Sequence, residues 1–264
     1  MSKRIGAIVQ ARMGSSRLPG KVLHRVLGRP LLGYLLDRLR LSRRLATLVV
    51  ATSTVEQDRP IRTFAEAEGI AVFTGSEDDV LDRYYRASEH YQIDPIVRIT
   101  ADCPLMDPKV VDLVIERFLE GSAHYVSNTA PLPATYPDGM DVEVFSFAVL
   151  QQAWREAVKP SEREHVTFFL WQQPERFKVR RVDHMPDWSE YRLTVDYPED
   201  VPLVETVLKE LLPRDPGFGL DEIIRYLEAN PALKALNAGI KRNQGWASAF
   251  EKDRQRGFQG GGRR

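Results

Sequence analysis

The stretch IGAIVQARMGSSRLPGK, residues 5–21, joins an apolar run to a loop rich in small and basic side chains. The run is apolar at successive positions, which is typical of a strand that is covered on both faces of a parallel sheet. The loop carries two glycines, two serines and the cations Arg12, Arg17 and Lys21. In an open α/β sheet, ligands usually bind where loops leave the carboxyl ends of strands. This stretch therefore predicts a parallel sheet with a binding loop after its first strand.

Apolar runs continue to alternate with amphipathic stretches as far as about residue 128. Prolines stand near the start of several amphipathic stretches, where helices accept them. We therefore predict an α/β fold with a doubly wound, mainly parallel sheet flanked by helices. Beyond that point the pattern predicts strands at 142–147, 177–182 and 191–195, and helices at 148–157, 162–172, 198–211 and 219–229. The periodicity fades after Pro231.

The composition excludes several classes of protein. The 264 residues include 37 basic and 37 acidic side chains, so we expect no whole-surface binding to nucleic acid or to an anionic membrane. One cysteine cannot form an internal disulfide, and no stretch approaches the roughly 20 apolar residues that span a bilayer. A cytoplasmic location is expected. The charge is uneven, however: residues 3–44 hold eleven basic residues and one acid, which predicts an anionic ligand there.

The loop after the first predicted strand suits a polyphosphate, because its small residues allow close backbone approach and its three cations supply donors. It is not a Walker A loop: five residues rather than four separate Gly14 from Gly20, and Val22 stands where Ser or Thr would hold magnesium. It also lacks the G-x-G-x-x-G pattern of dinucleotide-binding loops. A surface turn with solvated cations is the alternative. The position of the loop after a strand favours an anion site.

A carboxylate follows another apolar run of this half of the chain. Asp102 comes after the predicted strand at 96–100 and precedes Cys103-Pro104. Taken alone, such an Asp is more often a turn residue. In the same crevice as a polyphosphate loop it suits magnesium, which proteins commonly hold by one or two carboxylates together with substrate phosphates.

Several segments together resemble one family. The segment ARMGSSRLPGK, residues 11–21, is similar to the signature A-R-x-x-S-x-R-L-P-G-K of the cytidylyltransferases that activate 3-deoxy-ulosonic and sialic acids, and most similar to their spore-coat polysaccharide branch, the SpsF-like proteins. Further similarity lies in GSEDDVLDR (75–83), ADCPL (101–105), DGMDVE (138–143), EREHVT (162–167), VDYPED (195–200) and IKRNQGW (240–246). The last of these has no physical role that the sequence reveals. The resemblance spans most of residues 5–253 and implies a nucleotide-diphospho-sugar transferase-like fold of the GT-A/Rossmann-like kind.

The resemblance also implies site residues. Catalytic roles fall to Arg12, Lys21 and Asp102, and magnesium to Asp102 and Asp196. The implied nucleotide-binding residues are Ala11, Arg12, Met13, Gly14, Ser15, Arg17, Lys21, Thr52, Ser53, Asp79, Arg83, Arg98 and Thr100. The implied acceptor-binding residues are Asp138, Asp141, Glu143, Glu164 and His165.

Some of these residues have simpler explanations by themselves. Thr52 and Ser53 are typical of a strand end and a helix N-cap, and Asp79 precedes a helix whose N-terminus favours acids. A lone histidine such as His165 is usually a satisfied structural residue.

The implied function is that of an enzyme. A cytidylyltransferase of this kind would transfer CMP from CTP to the hydroxyl of a sugar acid with Mg²⁺, releasing pyrophosphate, for surface or spore-coat polysaccharide biosynthesis. The expected partners are CTP, a small sugar-acid acceptor and a second copy of the chain in a homodimer. The expected domain plan is one nucleotidyltransferase domain over 1–253 with a sugar-binding and dimerisation insertion at about 128–150, followed by a flexible tail over 254–264.

Three other functions stay open. One is a nucleotidyltransferase with another nucleotide or a phosphonate acceptor. A second is a GT-A-like glycosyltransferase, which releases no pyrophosphate. The third is a non-catalytic nucleotide-binding protein, against which the pair Asp102 and Asp196 weighs.

Overall fold

The computed structural model describes residues 4–258, in which strands and helices alternate mainly in the first half. The strands are β1 (Arg4–Gln10), β2 (Arg25–Val26), β3 (Arg29–Pro30), β4 (Thr47–Ser53), β5 (Ala71–Gly75), β6 (Ile93–Thr100), β7 (Tyr125–Ser127), β8 (Glu143–Phe145) and β9 (Val179–Arg181). The helices are α1 (Leu31–Leu39), α2 (Arg59–Ala67), α3 (Val80–Tyr91), α4 (Pro108–Leu119), α5 (Phe147–Glu156), α6 (Pro160–His165), α7 (Phe168–Trp171), α8 (Asp200–Leu211), α9 (Leu220–Ala229), α10 (Pro231–Lys234) and α11 (Gln244–Gln255).

One seven-stranded sheet has the order β5-β4-β1-β6-β8-β7-β9, and β2 pairs with β3 in a small hairpin. Strands β5, β4, β1 and β6 are mutually parallel. Strand β8 is antiparallel to both of its neighbours, whereas β7 and β9 are parallel to each other. The predicted mainly parallel sheet is confirmed.

The sheet is buried on both faces, which explains why its strands are apolar at successive positions. In β1, Ala7 and Val9 pack into one apolar cluster and Ile8 packs into another, and all three are fully buried. The first cluster takes side chains from α1, α4, α8 and α9, and the second takes them from α3, α5 and α7. Helices therefore cover both faces, and the predicted doubly wound architecture is confirmed.

The three adjacent parallel strands β4, β1 and β6 end at the same edge of the sheet. Gln10 of β1 lies beside Ala51 of β4 and Thr100 of β6. The loop of residues 11–21 and the loop that begins with Ala101 therefore leave the sheet side by side. Because β8 runs the other way, it starts at this edge, where Glu143 is paired with Arg98 of β6.

The prediction of a strand at 191–195 is wrong. Residue 192 forms only an isolated bridge with Asp138. The amide of Leu193 donates to the Asp138 carbonyl at 2.7 Å, and the amide of Val195 donates to the Asp102 carbonyl at 2.9 Å. This segment therefore makes its hydrogen bonds to two loops instead of a sheet edge, and it ties those loops to Asp196.

The single helix predicted at 162–172 is also wrong, because α6 and α7 are separated at Val166. This residue has a φ of 61°, a left-handed conformation that is unfavourable for a β-branched side chain. The next residue, Thr167, donates its hydroxyl proton to the Glu143 carboxylate. The break thus joins α6 to the start of β8.

Two helices, α10 and α11, lie in the part of the chain where the periodicity fades, and α11 extends to Gln255. Residues 259–264 of the tail predicted over 254–264 lie outside the described residues. No helix within residues 4–258 has the length and apolar character needed to cross a membrane.

Candidate active site

The loop after β1 is closed by its own backbone. The Met13 carbonyl accepts hydrogen bonds from the amides of Ser15 at 2.8 Å and Gly20 at 3.0 Å. Gly20 has a φ of 70°, a conformation that glycine adopts without a steric penalty. The Met13 amide donates to Asp58 Oδ1 at 2.7 Å, which fixes the loop to the segment after β4.

Asp58 also holds Thr52 and Ser53, two of the residues predicted to bind the nucleotide. Its Oδ2 accepts from the Ser53 hydroxyl at 2.5 Å and from the Thr52 hydroxyl at 3.2 Å. Both hydroxyl residues are fully buried at the end of β4. Through Asp58 they support the loop after β1, and neither lines the two cavities described below.

Lys21 joins the two predicted magnesium ligands. Its Nζ donates to Asp102 Oδ2 at 2.7 Å and to Asp196 Oδ1 at 2.5 Å. Arg17 also reaches Asp196, at 2.9 Å. Burial would raise the pKa of Asp102, but the Lys21 ammonium outweighs burial and lowers it to about 2. Burial likewise opposes the charge of Lys21, yet the two carboxylates raise its pKa above the ordinary value.

These two carboxylates fit a magnesium ion. Both already contact one cationic group, and carboxylate oxygens are the ligands that Mg²⁺ prefers. The Asp102 carbonyl accepts from the Thr194 hydroxyl at 3.1 Å, which keeps the two acidic loops together. Within residues 4–258 no group of three or more acidic, histidine or cysteine side chains is arranged to hold a metal ion. A magnesium ion on these two carboxylates would need further ligands, which substrate phosphates commonly supply in proteins.

A cavity of about 360 Å³ lies against the loop after β1 and is here called the loop cavity. The predicted site residues that line it are Ala11, Arg12, Ser15, Arg17, Lys21, Thr100, Asp102, Glu164, His165 and Asp196. Arg12 is exposed and has no hydrogen bond or ion pair with any residue in the described part of the chain. Of the three loop cations, it alone is therefore available to an anion without breaking an existing pair.

A second cavity of about 220 Å³, here called the acid cavity, adjoins the first. The predicted residues that line it are Arg17, Arg98, Thr100, Asp102, Asp138, Asp141, Glu143, His165 and Asp196. The two cavities share the Asp102 and Asp196 carboxylates. Two bound molecules, one in each cavity, would therefore lie next to each other beside Asp102 and Asp196. Glu164, predicted with the acceptor, lines the loop cavity instead.

Arg192 organises the acid cavity, and no pattern in the sequence pointed to it. It is 7 % exposed, and its guanidinium contacts Asp138 at 2.6 Å, Asp200 at 2.8 Å and Asp196 at 3.4 Å. Asp200 is fully buried and accepts from the Asp196 amide at 2.8 Å. Both residues therefore position Asp196.

Asp138 and Asp141 lie close together in the acid cavity. Burial and the charge of Asp141 raise the pKa of Asp138 to about 7. Burial also raises the pKa of Asp141, although Arg242 forms an ion pair with it. Gly139 between them has a φ of 101°, and a Cβ there would lie 2.5 Å from the Thr194 amide nitrogen. This acidic turn thus requires glycine at its centre.

Glu143 is held by three neighbours. It forms an ion pair with Arg98, accepts from the Tyr125 hydroxyl at 2.7 Å and accepts from the Thr167 hydroxyl. Its side chain is 9 % exposed. These contacts indicate a supporting role for Glu143 at the wall of the acid cavity.

His165 lines both cavities as an uncharged ring. Burial and the nearby Arg98 lower its pKa to about 3. Its ring stacks on Phe168 with centroids 4.4 Å apart. Its Nε2 is buried and has no hydrogen-bond partner in the described structure. This nitrogen is therefore available to a ligand.

Asp79 and Arg83 lie away from both cavities. Asp79 caps α3 by accepting from the Asp82 amide at 2.9 Å and also binds Arg163. Arg83 donates to the Ser76 carbonyl at 2.9 Å. The structure does not bring either residue to the cavities, and neither do Met13 and Gly14 line them.

Residues near the carboxyl end complete the walls of both cavities. They are Gly245, Ser248 and Lys252 in the loop cavity and Lys241, Asn243, Gln244, Gly245 and Trp246 in the acid cavity. The only sequence signal for them was the segment IKRNQGW, residues 240–246. Its position after the periodic part of the chain gave no indication of where it packs.

A family model and a curated relative match this chain. A family model described as cytidylyltransferase matches residues 6–215. The chain is 34% identical over 232 residues to the spore coat polysaccharide biosynthesis protein SpsF of Bacillus subtilis, covering 85% of this chain and 94% of that protein.

Solved structures agree with the fold. A cytidylyltransferase from Leptospira borgpetersenii superposes with a TM-score of 0.84 at 34% identity, covering 91% of this chain and 100% of that one. The CMP:2-keto-3-deoxy-manno-octonic acid synthetase complexed with CTP has a TM-score of 0.59 at 17% identity, covering 80% of this chain and 100% of that one. The second likeness shows a shared fold.

Proposed function

The chain belongs to the cytidylyltransferase family, and from this premise we propose that it transfers CMP from CTP to the hydroxyl of a sugar acid and releases pyrophosphate. The observation that carries the proposal is the Lys21 ammonium between Asp102 and Asp196, in a cavity also lined by Arg12, which has no hydrogen bond or ion pair within residues 4–258. This arrangement offers two carboxylates for a metal and three cations for a polyphosphate at one edge of the sheet.

The chemistry depends on positioning and on charge stabilisation. The acceptor hydroxyl oxygen forms a bond to the α-phosphorus of CTP, the bond from that phosphorus to the bridging oxygen breaks, the hydroxyl proton is released, and pyrophosphate leaves. Magnesium, when bound to Asp102 and Asp196, would supply positive charge at the phosphate.

The residues of the chain exchange partners when substrate binds. Asp102 and Asp196 would hold the metal in place of Lys21, and Lys21 and Arg17 would then be available to the phosphates that leave as pyrophosphate. Arg12 binds the triphosphate without losing a partner. Without substrate, the cations and the carboxylates of this site neutralise each other. With substrate, the cations would neutralise the phosphates and the carboxylates the metal, so a chain with equal numbers of acidic and basic side chains can bind a polyanion.

The acid cavity is the proposed acceptor site. It adjoins the loop cavity at Asp102 and Asp196, so an acceptor hydroxyl there lies beside the α-phosphate. Asp138 and Asp141 come from the segment 128–150, which supports the sugar-binding part of the expected domain plan. The homodimer, the cytoplasmic location and a role in surface or spore-coat polysaccharide biosynthesis belong to the same proposal; the polysaccharide role is supported by the name of the SpsF relative.

The test is a screen for pyrophosphate release. CTP, UTP and ATP are each combined with ulosonic, nonulosonic and phosphonate acceptors in Mg²⁺, and the products are identified by mass spectrometry. We expect pyrophosphate and a CMP-sugar only with CTP and a sugar acid. Product with a phosphonate or another nucleotide would favour the alternative nucleotidyltransferase, and glycosyl transfer without pyrophosphate would favour a glycosyltransferase. Binding of CTP without any product would indicate a non-catalytic protein.

Asp102→Asn tests the roles of the site residues within this screen. We expect turnover to fall by about two orders of magnitude or more, because the variant removes a charge that holds magnesium. The control is Asp221→Asn, an exposed acid on α9. Near-normal turnover by Asp102→Asn would contradict the proposed site.

A further inference from the structure

The carboxyl-terminal helix α11 reaches the loop cavity from outside the region that the family model matches. That model ends at residue 215, whereas Ser248 and Lys252 of α11 line the cavity together with Arg12 and Lys21. This helix therefore adds to the site two side chains, Ser248 and Lys252, that lie outside the matched region.

A buried polar contact holds α11 in place. Asp253 is 5 % exposed and accepts from the Ser161 amide at 3.0 Å and from the Ser161 hydroxyl at 2.5 Å. A buried carboxylate is costly unless it is hydrogen-bonded, so these bonds favour one rotation and one register of the helix. The neighbouring residue, Lys252, is thereby placed at the cavity.

Aromatic packing holds the other end of α11 against α7. Trp246 stacks on Trp171 with centroids 5.5 Å apart, and Phe250 stacks on Phe168 at 5.2 Å. Phe168 in turn stacks on His165, which lines both cavities. The helix is thus packed on Phe168, which supports the cavity-lining ring of His165.

Lys252 is available to an anion. Its only ion-pair partner among the described residues is Glu164, at 3.5 Å, and its side chain is 59 % exposed. Lys252 and Arg12 line the loop cavity together with His165, and both cations contribute to the lowered pKa of His165. By contrast, Lys21 and Arg17 are held by shorter contacts to carboxylates.

We propose that Lys252 binds the phosphates of the nucleotide together with Arg12, so that α11 completes the nucleotide site. The proposal rests on the function proposed above, since it takes CTP as the ligand. It assigns a binding role to a residue beyond the matched family region. It also gives the conformation of α11 a direct effect on nucleotide affinity.

The test measures binding of CTP in Mg²⁺ without acceptor, by titration calorimetry. Lys252→Met keeps most of the apolar stem and removes the charge, and we expect the Kd for CTP to rise about tenfold, as for the loss of one charge-assisted contact. Lys252→Arg restores the charge and is expected to recover most of the affinity. The matched control is Arg254→Met on the same helix, where Arg254 pairs with Glu251 and is 63 % exposed.

The outcomes separate this proposal from the proposed function. If the unaltered protein binds no CTP, the proposed function fails. If it binds CTP and Lys252→Met binds equally well, only the role of Lys252 is refuted. An equal loss in Arg254→Met would also refute that role, because it would indicate a general effect of charge on the helix. Thermal unfolding of each variant shows whether it has kept its fold. If Lys252→Met has not, the affinity of Lys252→Arg for CTP decides whether the proposal stands.

Discussion

Lys21→Met should destabilise the metal-free protein, and magnesium should repair much of the loss. Lys21 neutralises Asp102 and Asp196 at 2.7 and 2.5 Å. Without it, the ion pairs left to the two carboxylates within residues 4–258 are those of Asp196 with the partly exposed Arg17 at 2.9 Å and with Arg192 at 3.4 Å. The variant therefore removes the main cation from a pair of partly buried acids.

The magnitude follows from the pKa of Asp102. In the folded protein this pKa is lowered from 3.8 to about 2, which corresponds to roughly 2 kcal/mol of the free energy of unfolding at neutral pH. Because the folded pKa is depressed, this stabilisation is present above about pH 4 and is lost as the pH falls towards 2. We expect Lys21→Met to lose about 2 kcal/mol at pH 7 in the presence of a chelator.

Magnesium should stabilise the variant more than the unaltered protein, because it no longer competes with an ammonium group. A ligand at one hundred times its Kd stabilises the folded state by about 2.7 kcal/mol, which is enough to offset the loss. The assay is urea unfolding with and without Mg²⁺, with Lys209→Met, an exposed lysine on α8, as the control. A gap between the two variants that magnesium leaves unchanged would refute the reasoning.

Two further predictions concern the acidic turn of the acid cavity. Gly139→Ala should lower the free energy of unfolding by about 3 kcal/mol, because Gly139 has a φ of 101° and the added Cβ would lie 2.5 Å from the Thr194 nitrogen. The control is Gly239→Ala, which should cost far less because no atom lies within 4 Å of a Cβ added there. Equal losses in urea unfolding would contradict this prediction. Because the pKa of Asp138 is raised to about 7, the folded state binds its proton more tightly than the unfolded state does, and stability should fall as the pH rises from about 4 to about 7. Asp138→Asn should flatten that part of the stability profile, and an unchanged slope would show that another group titrates there.

Local patterns predicted the strands of the sheet well, because burial on both faces leaves a pattern within each short segment. Strands such as β1 are apolar at successive positions since both faces are covered, and this is visible in any short window of sequence. The prediction failed at 162–172 and at 191–195 for the opposite reason. Val166 is held in a left-handed conformation between the end of α6 and Thr167, which bonds to Glu143, and the segment before Asp196 bonds to loops that are distant in sequence.

The order of residue types along the chain was enough to predict the fold class, the cationic loop after β1 and the acid Asp102 after β6, because each depends on residues at a fixed place relative to a strand. Asp196 was implied only by the family resemblance, since the segment before it forms no strand. Which charges meet was settled by folding. Lys21 lies between acids that are 81 and 175 residues away along the chain, Arg192 supports one of them, and Lys252 reaches the loop cavity. These contacts join residues from separate elements, and no local pattern encodes them, since the energy of a charge pair depends on the distance and burial that folding creates.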